Sequence, residues 1–137
     1  FRPNGNDAIY RIDRDGDVAM HFKSPDLGRP NGLLFEGGIV RVVTFGTGES
    51  YGLTNNGGRQ DTHKFDKGGL DGIVQLMNGE LLISSWEASG IYAGFAGGPF
   101  KLRYKGYEAP ADIGLDHVRG VLLVPLFKAN KVVLIKL

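Results

Sequence analysis

Apolar residues along the chain fall in short runs, and each run is closed by a polar turn that carries glycine. The stretch RPNGLLFEGGIVRVVTF, residues 29–45, reads as two strands joined at Gly37-Gly38. The next strands are SYGLT and QDTHKF, after which the pattern starts again with DGIVQL, ELLISSW, GIYAG and PFKLRY. No window keeps the 3.6-residue period of an amphipathic helix, and glycines interrupt every segment long enough to hold one. The pattern therefore predicts an all-β chain.

The runs recur at a fixed step. Gly38, Gly79 and Gly120 are 41 residues apart, as are Gly16, Gly57 and Gly98 in a second set of turns. Phe45, Trp86 and Phe127 each close an apolar strand on the same step, and Tyr10, Tyr51 and Tyr92 follow it too, with Val133 next. Four short strands per period are the mark of a β-propeller blade. The repeat predicts a partial blade over 1–28, complete blades over 29–69 and 70–110, and a partial final blade over 111–137. That makes thirteen strands, about three blades' worth, whereas closed propellers have about four to eight blades. Pro125, inside VLLVPLF, lacks an N–H and predicts a bulge or the end of its strand.

Composition narrows the function. Cysteine is absent, which removes disulfides and thiolate chemistry. The formal charge is +1 without a Lys/Arg cluster, so no nucleic-acid track is expected. No apolar run nears the ~18 residues of a membrane span. The chain opens on Phe1 with no signal-like segment, which predicts a processed chain or part of a longer one.

Asn31-Gly32 is a turn-like dipeptide that nonetheless opens a strand. It aligns with Asp71-Gly72 and, one period on, with Asp112-Ile113. Each copy thus starts its first strand with a short oxygen-bearing side chain. First strands line a propeller's channel, so Asn31, Asp71 and Asp112 are expected to converge near the axis. The glycine after the donor would admit a close backbone approach. Asp and Asn oxygens suit hard cations such as Ca²⁺, Mg²⁺ or Mn²⁺. The bland reading is equally simple: short polar residues often hydrogen-bond at strand starts.

The segments RPNGLLFEGGIVRVVTFGTG, LDGIVQLMNGELLISSWEASGIY and PADIGLDHVRGVLLVPLFKANKVVLIKL resemble the C-terminal half of the senescence marker protein/gluconolactonase (regucalcin-like) family. The resemblance implies a six-bladed propeller with one divalent metal ion in its channel (Ca²⁺, or alternatively Mg²⁺, Mn²⁺ or Zn²⁺). It matches Asn31 and Asp71 to two of that family's four ligands, a Glu, two Asn and an Asp, and gives Asp71 the part of base in lactone hydrolysis. Asp112 has no ligand counterpart there and joins the metal candidates through its register alone. The Glu and the second Asn have no counterpart in these 137 residues. The expected function is a gluconolactonase-like, metal-dependent lactone hydrolase completed by a second propeller half. The alternative is a non-catalytic, NHL-like propeller that binds a protein or small ligand. Composition predicts a soluble chain, and the resemblance implies that export is open to it, since relatives of this type are often exported.

Other residues carry plainer expectations. Trp86 shares the register of Phe45 and Phe127 and reads as packing between blades rather than as a stacking platform. Glu87 has no evident partner. His21 and His63 fall in outer strands and His117 in a turn, off the channel register, so none is expected to ligate. Ser84-Ser85 lacks a nucleophile-elbow frame. FGTG and GFAGG precede strands rather than helices, which argues against phosphate loops. Leu33, Val42, Ile83, Leu123 and Val124 sit on strands patterned for sandwiching, and no repeat is a polar cap. Both ends should therefore seek a neighbour, with a companion segment favoured over a homodimer.

Overall fold

A computed structural model describes residues 7–137; the first six positions of the first partial blade lie outside the described residues. The described residues form thirteen strands in four antiparallel sheets, each in simple sequential order. The first sheet pairs β1 (Ala8–Ile12) with β2 (Val18–Lys23). The second holds β3 (Pro30–Glu36), β4 (Ile39–Thr44), β5 (Glu49–Leu53) and β6 (Arg59–Lys64). The third holds β7 (Leu70–Gln75), β8 (Leu81–Ser85), β9 (Gly90–Gly94) and β10 (Phe100–Lys105). The fourth holds β11 (Gly114–Asp116), β12 (Val121–Leu126) and β13 (Lys131–Lys136). The helical segments among the described residues are two three-residue 3₁₀ turns, at Pro25–Leu27 and Phe127–Ala129.

The 41-residue register has a geometric cause. Gly38, Gly79 and Gly120 turn the first hairpin of the second, third and fourth sheets with φ of 83°, 84° and 61°, the left-handed region that penalises other side chains. Between the sheets lie three apolar layers. Ile9, Val42 and Tyr51 fill the first, Val43, Ile73 and Ile83 the second, and Leu82, Ile91 and Leu122 the third. Successive residues such as Val42 and Val43 serve opposite faces because strand side chains alternate. Burying each such aliphatic side chain contributes about 2 kcal/mol.

Pro125 sits one residue before the end of β12, in unbroken register opposite Val132 of β13, so no bulge forms there. Its carbonyl accepts from Ala111 N–H, on the side away from β13. A residue's N–H and C=O point to one side of an antiparallel strand. The missing N–H therefore costs no bond in the β12–β13 ladder.

Residues in one register meet different fates at the ends of the chain. Tyr51 and Tyr92 are 1% and 4% exposed, each wedged between two sheets, whereas Tyr10 is 60% exposed. At the other end Val132 is 54% exposed, while Ile91, one period earlier, is fully buried against the next sheet. Leu33 and Phe35 are exposed as well. Leu33 pairs with Val42 and so points toward the first sheet, which offers two outer strands and nothing opposite β3. Position in the stack, not side-chain type, sets these exposures.

Glu36, at the end of β3, joins two blades by accepting from the Gln75 amide of β7 and from Arg41 Nε at 2.9 Å. The Gln75 bond and then Arg41 hold its carboxyl below the ordinary carboxylate range, against desolvation. A folded-state value below the unfolded one adds stability above the ordinary carboxylate range, and that stability is lost as pH falls through the depressed value. Glu36→Gln should therefore lose less stability than wild type when urea midpoints are compared at about pH 6 and about pH 3.5.

Candidate functional site

Antiparallel pairing puts the start of each blade's first strand beside the end of its second: Pro30 lies opposite Thr44 and Leu70 opposite Ser85. One residue further along stand Asn31 and Asp71 on one side, Phe45 and Trp86 on the other. The first strands neighbour one another across blades, β3 against β7 and β7 against β11. The result is a cavity of about 760 Å³ at one mouth of the channel, and Asn31, Asp71 and Asp112 all line it. A second cavity of about 580 Å³, lined by Leu34, Glu36, Gln75 and Leu115, opens at the other ends of the same strands.

The glycines of the NG and DG pairs are explained by contact. A Cβ on Gly32 would lie 2.3 Å from the Asp71 carbonyl oxygen, and one on Gly72 would lie 2.4 Å from Ile113 N. Both glycines let the next blade's first strand pass at backbone distance. That spacing is what brings the three donors to one cavity.

Each blade repeats a local lock. Arg29, Gly69 and Ala109 have positive φ of 59°, 60° and 45°. Their carbonyls accept the N–H groups of Phe45, Trp86 and Phe127 at 3.0, 3.0 and 3.1 Å. The donor residue follows two positions after Arg29 and Gly69, and three after Ala109. Donors and aromatic rings are thus held together blade by blade. The rings form a row, with centroids 5.4 Å apart from Phe45 to Trp86 and 5.3 Å from Trp86 to Phe127.

Trp86 packs across blades, against Phe45 of the second sheet and Phe127 of the fourth, as its register predicts, and the same row forms a wall of the cavity. Trp86 is half-buried, lines the cavity with Phe45 and Phe127, and donates its Nε1–H to Asp71 Oδ2 at 2.9 Å. Asp71 is likewise half-buried, and burial raises its carboxyl above the ordinary value. The Trp86 bond opposes that rise and the neighbouring Asp112 charge adds to it. Asn31 is exposed. The carboxylates share the cavity without closing up: among the described residues no group of three or more His, Cys, Asp or Glu has metal-holding spacing.

Ser84 is fully buried with both hydrogen-bonding roles filled, accepting from Gly72 N–H and donating to the Ala111 carbonyl, each at 2.8 Å. It braces Gly72 of β7 against the Ala111–Asp112 segment that precedes β11, and has no free oxygen for attack. Glu87 accepts from Gly68 N–H at 2.7 Å. His63 packs against Phe65 and Phe100 and His117 lines the opposite mouth.

The cavity also contains Asp7 and Arg29, which the repeat did not single out. Asp7 Oδ2 accepts from Arg29 N–H at 2.7 Å, and the Arg29 guanidinium stands 5.9 Å from the Phe45 ring centre. In the 41-residue register Asp7 corresponds to Gly48 and Ser89, so no recurring carboxylate announced it.

No known family pattern and no curated protein matches the chain. Solved structures do resemble it. A streptogramin B lyase structure aligns over 95% of this chain and 48% of its own, with 18% identity and a TM-score of 0.64. A chain of the nidogen/laminin complex aligns over 95% and 53%, with 16% identity and a TM-score of 0.75. A protein of unknown function from Bacteroides caccae aligns over 98% and 65%, with 15% identity and a TM-score of 0.68. At these identities the likeness is one of fold: the chain is a partial β-propeller. It spans about half the length of the first two. Among the described residues no helix is long and apolar enough to cross a membrane.

Proposed function

We propose that this chain supplies one half of a six-bladed, lactone-hydrolysing propeller whose channel mouth takes a hard divalent cation. The observation that carries the reading is the convergence of Asn31, Asp71 and Asp112, from three consecutive blades, on one cavity. Their oxygens fit Ca²⁺, with Mg²⁺, Mn²⁺ or Zn²⁺ as alternatives; Asn31 and Asp71 would hold the ion, and Asp112 would lie beside it. The set is too small to fill a coordination shell of about six oxygens. The remaining ligands would come from the other half, as the resemblance to the gluconolactonase family implies. Bound there, the cation would act as a Lewis acid on the lactone carbonyl.

The chain's own residues do the rest. Trp86 occupies Asp71 Oδ2 and so fixes the carboxylate's orientation, leaving Oδ1 for the cavity. Without the ion, burial raises the Asp71 carboxyl; as a base it would act through its place beside the cation, within reach of the attacking water. Asp71 takes the proton of the attacking water, and the ring oxygen leaves with it as the alcohol of the hydroxy acid. Arg29, at the cavity edge, offers its charge to the carboxylate product. Ser84 keeps the Asp71 strand in place against the Ala111–Asp112 segment.

The half-propeller reading is supported by the exposed Tyr10 and Val132, whose register partners are buried between blades. A companion segment of a longer chain fits better than a second copy. The fourth sheet has three strands and the first has two, which exceeds one four-stranded blade when two copies meet. Light scattering is expected to show a stable particle when the companion is present, and a lone, soluble monomer that accepts no partner would contradict it. The functional test is a lactone panel assayed on the assembled particle with and without chelator. Metal-dependent hydrolysis is expected. A particle that binds ligands yet hydrolyses none would be the non-catalytic, NHL-like alternative.

A further inference from the structure

We propose that the ligand of this cavity carries an apolar, preferably aryl, substituent that lies on the Phe45–Trp86–Phe127 wall. The inference rests on the reading of the cavity as a lactone site and names the class of lactone. Three features point to it.

The first is exposure. Phe45 and Trp86, on the two complete four-stranded sheets, keep part of their surface open to the cavity that Phe127 also lines. Aromatic rings of this size normally bury nearly all of their surface, and a contiguous exposed row marks a surface that something covers.

The second is rigidity. Each ring is pinned through its backbone N–H to the left-handed residue that precedes a metal-candidate donor. The wall therefore stands at a fixed place beside Asn31, Asp71 and Asp112, close enough for one ligand to touch both.

The third is chemistry. The indole N–H, the one hydrogen-bond donor the three side chains possess, is spent on Asp71. Pro30 and Ala111 extend the apolar lining. A polyhydroxylated sugar lactone would lose water at this wall without finding partners, because a buried hydroxyl left unpaired is costly. An aryl ring would gain stacking and edge contacts instead.

Trp86 is the chain's single tryptophan and so reports directly on its own site. The experiment titrates the full chain, in chelator, with γ-phenyl-γ-butyrolactone and with δ-gluconolactone, following Trp86 emission. The phenyl lactone should bind saturably and at least about tenfold more tightly than gluconolactone. Phe127→Ala should weaken it by about tenfold, while Phe127→Leu, which restores apolar bulk at an exposed position, should recover most of the loss. Equal affinity for the two lactones, no binding of the phenyl lactone, or a Phe127→Ala variant that binds as wild type does, would each overturn the proposal. Because no metal and no turnover are needed, the two readings fail separately. Phenyl-lactone binding without hydrolysis in the assembled particle keeps the wall and removes the hydrolase; hydrolysis of both lactones at equal efficiency does the reverse.

Discussion

Asp71→Asn is expected to abolish lactone hydrolysis by the assembled particle, lowering the rate by about a thousandfold or more, while leaving the fold intact. The amide has the shape of the carboxylate and can still accept the Trp86 N–H, so the side chain stays in place. What it loses is the charge that would hold a cation and the capacity to take a proton, and a positioned base alone is worth about 10²–10⁴ in rate. Stability should move the other way. Burial, followed by the Asp112 charge, raises the Asp71 carboxyl, so the folded state binds this proton more tightly than the unfolded chain does. For a carboxylate raised on folding, stability is lost as pH climbs from the ordinary value through the raised one. At neutral pH the ionised side chain is therefore a liability that asparagine removes. In metal-free buffer the variant should melt no lower than wild type, and higher if anything, by circular dichroism. Retained turnover in the folded variant would exclude Asp71 as the general base.

Gly72→Ala is expected to be strongly destabilising. Its Cβ would sit 2.4 Å from Ile113 N and 2.8 Å from Asp112 Cα, both backbone atoms of the next blade. Neither can swing aside as a side-chain tip would, so β7 and β11 must separate or β7 must buckle. Either movement strains the Gly72 N–H to Ser84 Oγ to Ala111 carbonyl relay. The cost should be about 3 kcal/mol, the upper part of the usual overpacking range. The control is Gly114→Ala, whose Cβ would meet nothing nearer than Leu123 at 4.0 Å and which should shift stability by less than about 0.5 kcal/mol. Urea unfolding of the two variants and wild type separates the effects, and equal midpoints would show that the two blades do not meet backbone to backbone at Gly72.

The fold was legible because a propeller solves one packing problem repeatedly. A blade flanked by two others buries both faces against them, so the same positions must be apolar every 41 residues. The two sets of hairpin glycines recur because the same left-handed turn does. The three donors were legible for the same reason, since the start of each first strand returns to one place. For Trp86 the register implied the contact between blades but not the opening onto the cavity, because register says which residues are equivalent, not where they point. The information was nonetheless present. In an antiparallel hairpin the residue that follows the second strand lies beside the residue that opens the first, so Phe45, Trp86 and Phe127 had to stand at the donors' end. The strand end lifts these rings beyond the inter-blade layer and into the cavity. Asp7 and Arg29 were invisible on different grounds. Their register mates carry no charge: Asp7 corresponds to Gly48 and Ser89, and Arg29 shares its backbone role with Gly69 and Ala109. Pro125 gave half its signal: the strand does end beside it, but the unpaired side of β12 absorbs the missing N–H without a bulge.

The central claim is that three consecutive blades bring their first-strand oxygens to one cation-holding mouth, and Trp86, bonded to Asp71, is placed to report it. The most direct measurement is a Ca²⁺ titration of the full chain, with its companion half when that is in hand, read by Trp86 emission and by metal retained on equilibrium dialysis. A saturable change in emission with bound Ca²⁺, absent in Asp71→Asn and weakened in Asn31→Ala, is the result expected. Dialysis that leaves no metal on the assembled particle, or Ca²⁺ binding that persists unchanged in Asp71→Asn, would contradict it.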